Sequence, residues 1–408
     1  MNNCNFKKTL LSILKLCVLG VLIGAVGGLV GGVFSRLLFS VTNLRMSASW
    51  IILLLPIGGI ATVGLYRVFN MSDFGGTNEI IRCLKDNKPI KTATAPLIFI
   101  STAITHLFGG SAGREGAAIQ LGGSMASSLC GCLRLIKTER SVFIMSGMSA
   151  VFAGVFGTPI TATIFVLEFK FNKKVISMAV LPCFISAIIS KTISSFIGVA
   201  EETVFLKNIP SFSLITVAKV LVLSLLLCVL GNVMCFLFHK AETFAKRIIS
   251  NDFVRIALGS VVIIILTMLV GDMRYSGSGM NMAIDAINGN ADWFDFVLKM
   301  VFTAITLAVG FKGGEIVPTF CIGATFGCVF ASVLGLDVSL CAALGFIGLF
   351  CCATNSPFGA IFLGIEMFGF TALPYYIIVC LILLPLSAKN GLFQNRFFKS
   401  IIPFKKLS

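Results

Sequence analysis

"GGSAGREGAAIQLGG", residues 109–123, sets Arg114 and Glu115 in a run of glycines and small residues with long apolar segments on both sides. The composition says what surrounds that carboxylate. The chain has 408 residues, of which 57% are hydrophobic and only 12% charged, whereas soluble domains carry about a quarter charged residues. An all-α integral membrane protein follows. Apolar stretches recur at 9–35, 93–105, 176–198, 213–238, 254–270, 338–352 and 376–386. Several approach the roughly 20 residues a helix needs to span hydrocarbon, and the shorter ones predict broken or re-entrant helices. Lys7 and Lys8 precede a segment too long and too glycine-rich for a cleaved signal peptide.

The net charge is +15, which in a soluble chain would suggest nucleic acid. Here the basic residues cluster beside apolar segments, so positive-inside anchoring accounts for them and no nucleic-acid partner is expected. Lys7, Lys8, the set Arg82, Lys85, Lys88 and Lys91, the set Lys240, Lys246 and Arg247, and the tail "FKSIIPFKK" are then cytoplasmic. Fourteen cysteines fall mostly in apolar segments without metal-ligand spacing, and only His106 and His239 could assist them. They read as small packing residues in a reduced setting, with no metal and no cofactor expected.

The opening stretch occurs twice. Gly110, Gly113 and Glu115 recur as Gly310, Gly313 and Glu315 in "GFKGGEIVP", and Gly123 as Gly323, all 200 residues on. "FGGTN" from Phe74 precedes the first glutamate as "YSGSG" from Tyr275 precedes the second. "GTPITATIFVLE" follows the first as "NSPFGAIFLGIE" follows the second, with nine residues separating Pro159 from Glu168 and Pro357 from Glu366. Two repeats are therefore expected, 1–200 and 201–408, joined through "GVAEETVFLKNIPSF" (198–212). An inverted second repeat returns the basic loop at 240–247 to the cytoplasmic side. Inverted repeats interrupted by glycine and proline at matching positions mark transporters that hold substrate between the halves.

Irregular backbone at membrane depth is tolerated only where it is buried in protein or lines a cavity. Each glycine-rich break that opens a helix directs free N–H groups and a positive dipole end at the pathway, which makes an anion site. Glu115 then has a role: ionised, it occupies the donors that would hold an anion, and protonated, it frees them. The alternative is a structural carboxylate paired with Arg114. Glu315 reads as a second proton-handling or anion-facing group, or else as a cap on its own broken helix. Glu168 and Glu366 read as helix-end acids, and His106 as a buried, hydrogen-bonded histidine. No nucleophile–base pair or metal set accompanies the glutamates, so an enzyme is not expected.

These elements resemble the CLC family of chloride channels and proton-coupled anion exchangers over nearly the whole chain. "GREGA" is similar to the family's GREGP gate, "GTPITATIFVLE" to its AP-type helix start, and "GGEIVPTF" stands where the family has GxFxP. The resemblance implies the CLC fold, a homodimer with one pathway per subunit in the lipid bilayer, halide and proton as the transported ions, and a multi-pass protein of a bacterial inner membrane without cytoplasmic regulatory domains. "GGTNEII", Glu315, and Phe169 in the slot after Glu168 are most like the fluoride/proton antiporter branch. Implied gating and proton transfer fall to Glu115 and Glu315. Implied anion binding falls to Gly76, Thr77, Asn78, Gly113, Arg114, Gly116, Ala117, Gly314, Ile316, Val317 and Phe393. Phe393, in "KNGLFQNRF", stands for the family tyrosine without its hydroxyl, and Val317 for a threonine often found in that branch. A passive anion channel of the same fold is the alternative.

Overall fold

The computed structural model describes residues 3–133, 135–169, 172–206, 208–386 and 391–393, with the side chains of 3–9 left aside. The basic tail from Phe398, most of "KNGLFQNRF" and the side chains of Lys7 and Lys8 lie outside the described residues. The first eight helices are α1 (Asn3–Ser47), α2 (Leu55–Val68), α3 (Gly76–Asp86), α4 (Thr94–Phe108), α5 (Glu115–Leu133), α6 (Lys137–Phe156), α7 (Pro159–Leu167) and α8 (Lys173–Phe196). After a non-helical stretch the second eight are α9 (Leu214–Ile248), α10 (Asp252–Val270), α11 (Met280–Ile287), α12 (Asp295–Val309), α13 (Ile316–Leu334), α14 (Val338–Thr354), α15 (Pro357–Phe368) and α16 (Leu373–Leu386). The order repeats, long, medium and short helices recurring in sequence. Helix starts at Glu115 and Ile316, and at Pro159 and Pro357, match the repeated motifs.

Among the described residues, seven helices or helical stretches are long and apolar enough to cross a bilayer, and α4, α14, α15 and α16 are shorter apolar helices. The protein is a multi-pass membrane protein. Leu14, Val18, Leu22, Leu29 and Val33 leave an exposed apolar stripe on α1, and Val222, Leu225, Val229 and Phe236 do so on α9. A soluble helix would carry polar residues there; lipid accepts these. The centre is different. α6 and α13 are almost wholly buried in protein, with Phe152, Phe320, Phe346 and Phe350 in one continuous core.

Small residues bring the helices together. Gly20, Gly24 and Gly28 of α1 meet Pro182, Ser186 and Ser190 of α8, where a Cβ on Gly24 would stand 2.9 Å from the Ser186 Cα. The same serine row of α8 binds α6: Ser186 Oγ donates to the Ser146 carbonyl at 2.8 Å, Ser190 Oγ to that of Ala150 at 2.5 Å, and Ser194 Oγ to that of Gly154. Close packing and interhelical hydrogen bonds are what hold helices together when lipid removes the hydrophobic drive. Eleven cysteines are buried, all as free thiols, among the described residues.

Candidate anion and proton site

The two glycine motifs meet back to back. Gly113 N–H donates to the Gly314 carbonyl at 2.6 Å and Gly314 N–H returns the bond to the Gly113 carbonyl at 2.6 Å, an isolated antiparallel bridge between residues 201 apart in the chain. Only glycine allows this approach: a Cβ on Gly314 would lie 2.7 Å from the Gly116 nitrogen, and one on Gly113 would press on Pro318 and Val317. α5 and α13 start immediately after the bridge. By the i to i−4 rule the amides of Gly116, Ala117, Ile316 and Val317 have no acceptor inside their helices. The Ala117 side chain is buried in a cluster that includes Phe34 and Leu38 of α1.

Glu115 is fully buried. Its Oε2 accepts from the Arg114 backbone N–H at 3.1 Å, and its Oε1 lies 3.4 Å from Arg114 Nε. The carboxylate is curled back onto the Arg114 amide that immediately precedes its own helix. The Arg114 guanidinium is shared: Nη2 reaches Glu202 Oε1 at 2.7 Å. Glu315 takes the helix-flanking position before α13 but makes no side-chain cap bond, and its carbonyl accepts from Thr319. The capping alternative for Glu315 therefore does not hold.

Around this centre, Thr77 Oγ1 donates to the Gly116 carbonyl at 3.3 Å and accepts from Gln120 Nε2 at 3.1 Å. Asn78 Nδ2 donates to the Leu392 carbonyl at 2.9 Å, drawing residues 391–393 to the start of α3, where Gly76 adopts φ +59°. Both side chains expected to donate to an anion thus commit a hydrogen to protein carbonyls in this conformation, because the α3 start must itself be anchored to α5 and to the C-terminal segment. Phe393 is buried, its ring 6.4 Å from those of Phe165 and Phe169 and edge-on to the latter at 80°.

Two cavities approach the bridge. One, of about 470 Å³, is bordered by Arg114, Glu202, His106 and Arg45 and by Ser276, Ser278 and Gly279 of the "YSGSG" break. The other, of about 430 Å³, is bordered by Phe74 and Gly75 of the "FGGTN" break, by Glu242 and Lys246, and by Gly310 and Lys312. His106 is buried as expected, but its Nε2 finds no partner among the described residues.

The "TPITA" and "SPFGA" breaks behave otherwise. Glu366 accepts from the Ile160 and Thr161 amides at 2.9 and 2.7 Å, and Glu168 from the Phe358 and Gly359 amides at 3.2 and 3.3 Å. Each acid ends one helix and caps the start of another, about 200 residues away. The expectation that every break leaves free amides is corrected here: α7 and α15 are closed. Glu202, legible in the sequence only as half of the acidic pair Glu201 and Glu202 in the 198–212 linker, is a partner of Arg114, and a buried lysine, Lys299, carries no motif in the sequence. Lys299 is fully buried and donates to Ser111 Oγ and the Tyr275 and Gly277 carbonyls at 2.8–3.0 Å. It ties "YSGSG" to "GGSAG", as does Gly277 N–H to the Gly110 carbonyl at 3.1 Å. Its signal was a lone cation four residues after Asp295 in an otherwise apolar helix.

The family model for voltage-gated chloride channels matches residues 58–383. A chloride/fluoride channel protein of Pseudomonas syringae pv. tomato is 32% identical over 94% of this chain and 86% of its own length. An H(+)/Cl(-) exchange transporter of Klebsiella pneumoniae is 26% identical over 87% of this chain and 81% of its own. The crystal structure of a CLC-type fluoride/proton antiporter superposes with a TM-score of 0.89 at 34% identity, covering 93% of this chain and 97% of the other. That of a slow cyanobacterial Cl-/H+ antiporter shares the fold, with a TM-score of 0.78 at 18% identity over 91% and 94% of the two chains. The repeated glycine motifs, the paired helix starts and these matches agree: the chain belongs to the voltage-gated chloride channel, or CLC, family.

Proposed function

We propose that the protein exchanges a halide, fluoride and/or chloride, for protons across a bacterial plasma membrane, with Glu115 as gate and proton carrier and Glu315 as a second proton-handling or anion-facing group. The observation that carries this is the Glu115 carboxylate folded back onto the Arg114 amide, next to the helix-start amides of Gly116 and Ala117, in a loop bridged to its counterpart through Gly113 and Gly314. Protonation would remove the charge that competes with an anion for those amides. Gly116, Ala117, Ile316 and Val317 would offer backbone N–H groups, Gly76, Thr77 and Asn78 the neighbouring helix start, Arg114 a cation at the entrance, and Phe393 the positive edge of its ring.

Supporting the wider reading are the repeated element order and the similarity to bacterial relatives, among them a chloride/fluoride channel protein and an H(+)/Cl(-) exchange transporter. We divide the chain into inverted repeats, 1–200 and 201–408, with the basic loops cytoplasmic, and expect a homodimer in the lipid bilayer. A passive channel is the second reading, favoured by the missing hydroxyl at Phe393. Purified protein in liposomes, followed with fluoride, chloride and pH electrodes together, separates the two. Halide flux down its gradient that drives protons uphill supports exchange. Halide flux with no proton movement leaves the channel.

A further inference from the structure

The guanidinium next to the gate carboxylate has two claimants, and only one belongs to the gate. Glu202 sits in the stretch that joins α8 to α9, and this strap is fixed at both sides of the glutamate. Lys191 of α8 binds Glu201 at 2.9 Å, and Val204 N–H donates to the Met367 carbonyl at 2.9 Å. Glu202 is thereby held in the wall of the 470 Å³ cavity, with Oε1 2.7 Å from Arg114 Nη2. Its Oε2 is buried without a partner among the described residues. The contact to Glu202 is shorter than the 3.4 Å from Arg114 Nε to Glu115.

We propose that Glu202 is a positioning residue for the gate: it holds Arg114 against the cavity wall and so limits how strongly the guanidinium can retain the Glu115 carboxylate at the helix start. This rests on the reading of Glu115 as gate. Without Glu202 the guanidinium has one carboxylate left, and it turns to Glu115. Loss of a nearby negative charge acts in the same direction, since a like charge disfavours an ionised carboxylate. Both effects keep the gate closed to lower pH. The other titratable or charged groups bordering the cavity are Arg45 from α1, His106 from α4, Asp272 and Arg274 from the loop before α11, and Asp285 from α11. Arg274 is engaged by Asp292 and Asp295, and Arg45 donates to the His106 carbonyl. None of these groups pairs with Arg114 among the described residues.

The test is the pH profile of fluoride efflux from liposomes for the wild type and for Glu202→Gln, Glu202→Asp, Arg114→Gln and Glu115→Gln. Glu202→Gln is expected to move the midpoint down by about one pH unit, hence about tenfold less flux at a pH above it. Glu202→Asp should stay near the wild type. Arg114→Gln should shift the other way, and the Glu202→Gln shift should shrink when made in that background. A merely structural role would lower flux at every pH and leave the midpoint in place; that result, with Glu115→Gln insensitive to pH, overturns the role of Glu202 and leaves the gate standing. A wild-type profile in Glu115→Gln overturns both. If Glu202→Gln does not fold, Arg114→Gln decides: an alkaline shift supports the shared arginine, and an unmoved or acid-shifted midpoint overturns it.

Discussion

Four helix starts near the centre of this molecule follow glycine or proline breaks, and they have been put to two uses. α5 and α13 begin at the Gly113–Gly314 bridge, and of the acids beside them Glu115 turns back on Arg114 while Glu315 makes no side-chain cap bond. α7 and α15 begin at Pro159 and Pro357, and each has its first free amides filled by the last acid of the other, Glu366 on α7 and Glu168 on α15. The difference is in reach. A carboxylate hinged on the helix it covers can leave without breaking a tertiary contact, whereas one that arrives from another helix, at the far end of a repeat, clamps two elements together. The chemistry of anion at helix N-terminus fastens α7 and α15 to each other, whereas the Glu115 carboxylate is held by the adjoining Arg114.

The comparison is most exposed at Glu115. Replacing it by Gln keeps the shape and removes the charge, so Glu115→Gln is expected to reduce proton movement to the leak of empty liposomes while halide flux persists. A variant that still pumps protons against their gradient would place Glu115 among the fastenings. The complementary change, Glu168→Ala or Glu366→Ala, strips two buried amides of their acceptor, at a cost of about 2 kcal/mol. Thermal unfolding in detergent should show a lower Tm for either, while the ratio of protons to halide in the surviving protein stays at the wild-type value. A changed ratio with an unchanged Tm would break the distinction drawn here.

How far the sequence shows this difference depends on distance along the chain. Glu115 is legible because its glycines, its arginine and its repeat at Glu315 are local patterns. The apolar stretches at 213–238, apart from the capping Ser213, and 254–270 fall within α9 and α10 because lipid-facing helices must look apolar. α6 escapes the same reading: surrounded by protein, "SVFIMSGMSAVFAG" can afford serines and glycines that pack against α8 and α5. The caps by Glu168 and Glu366 could not be read either, for each acid's donors lie on a proline-led turn in the other half, and nothing beside the glutamate names them. Glu202 is the same case in a linker without pattern, where only the folded strap brings it to Arg114.

Glu315 lies between the two classes, since it flanks a helix start without capping it. If it belongs with Glu115, Glu315→Ala should lower fluoride flux about tenfold and chloride flux less. Fluoride is small and tightly hydrated, so its site must replace strong water contacts, and removal of one donor or proton site is felt there first; one hydrogen bond to a charged group contributes about 1.5–3 kcal/mol. Rates for the two halides, measured in parallel liposomes, check this. Equal losses for both ions would make Glu315 a general determinant of the pathway, and no loss with a lower Tm would return it to the fastenings.

The smallest expected effect concerns Phe393, which brings no charge and no hydrogen-bond donor to the centre. Its ring is boxed by Phe165 and Phe169, and its neighbour Leu392 is held by Asn78 and by the Ala353 carbonyl, which accepts from the Leu392 amide at 2.8 Å. The ring position is thus fixed by backbone contacts, and Phe393→Tyr adds a hydroxyl without moving them. Two outcomes are physically distinct. If the ring's outer edge faces the anion, the new O–H donates to it, and about 1 kcal/mol of net hydrogen bond lowers the KM for halide roughly fivefold with Tm unchanged, which is the expected result. If instead that edge is sealed among phenylalanines, the hydroxyl is buried without a partner and Tm falls while KM stays where it was. The second outcome would take Phe393 out of the anion pathway and assign the aromatic group to packing alone, alongside the glutamate caps and apart from Glu115.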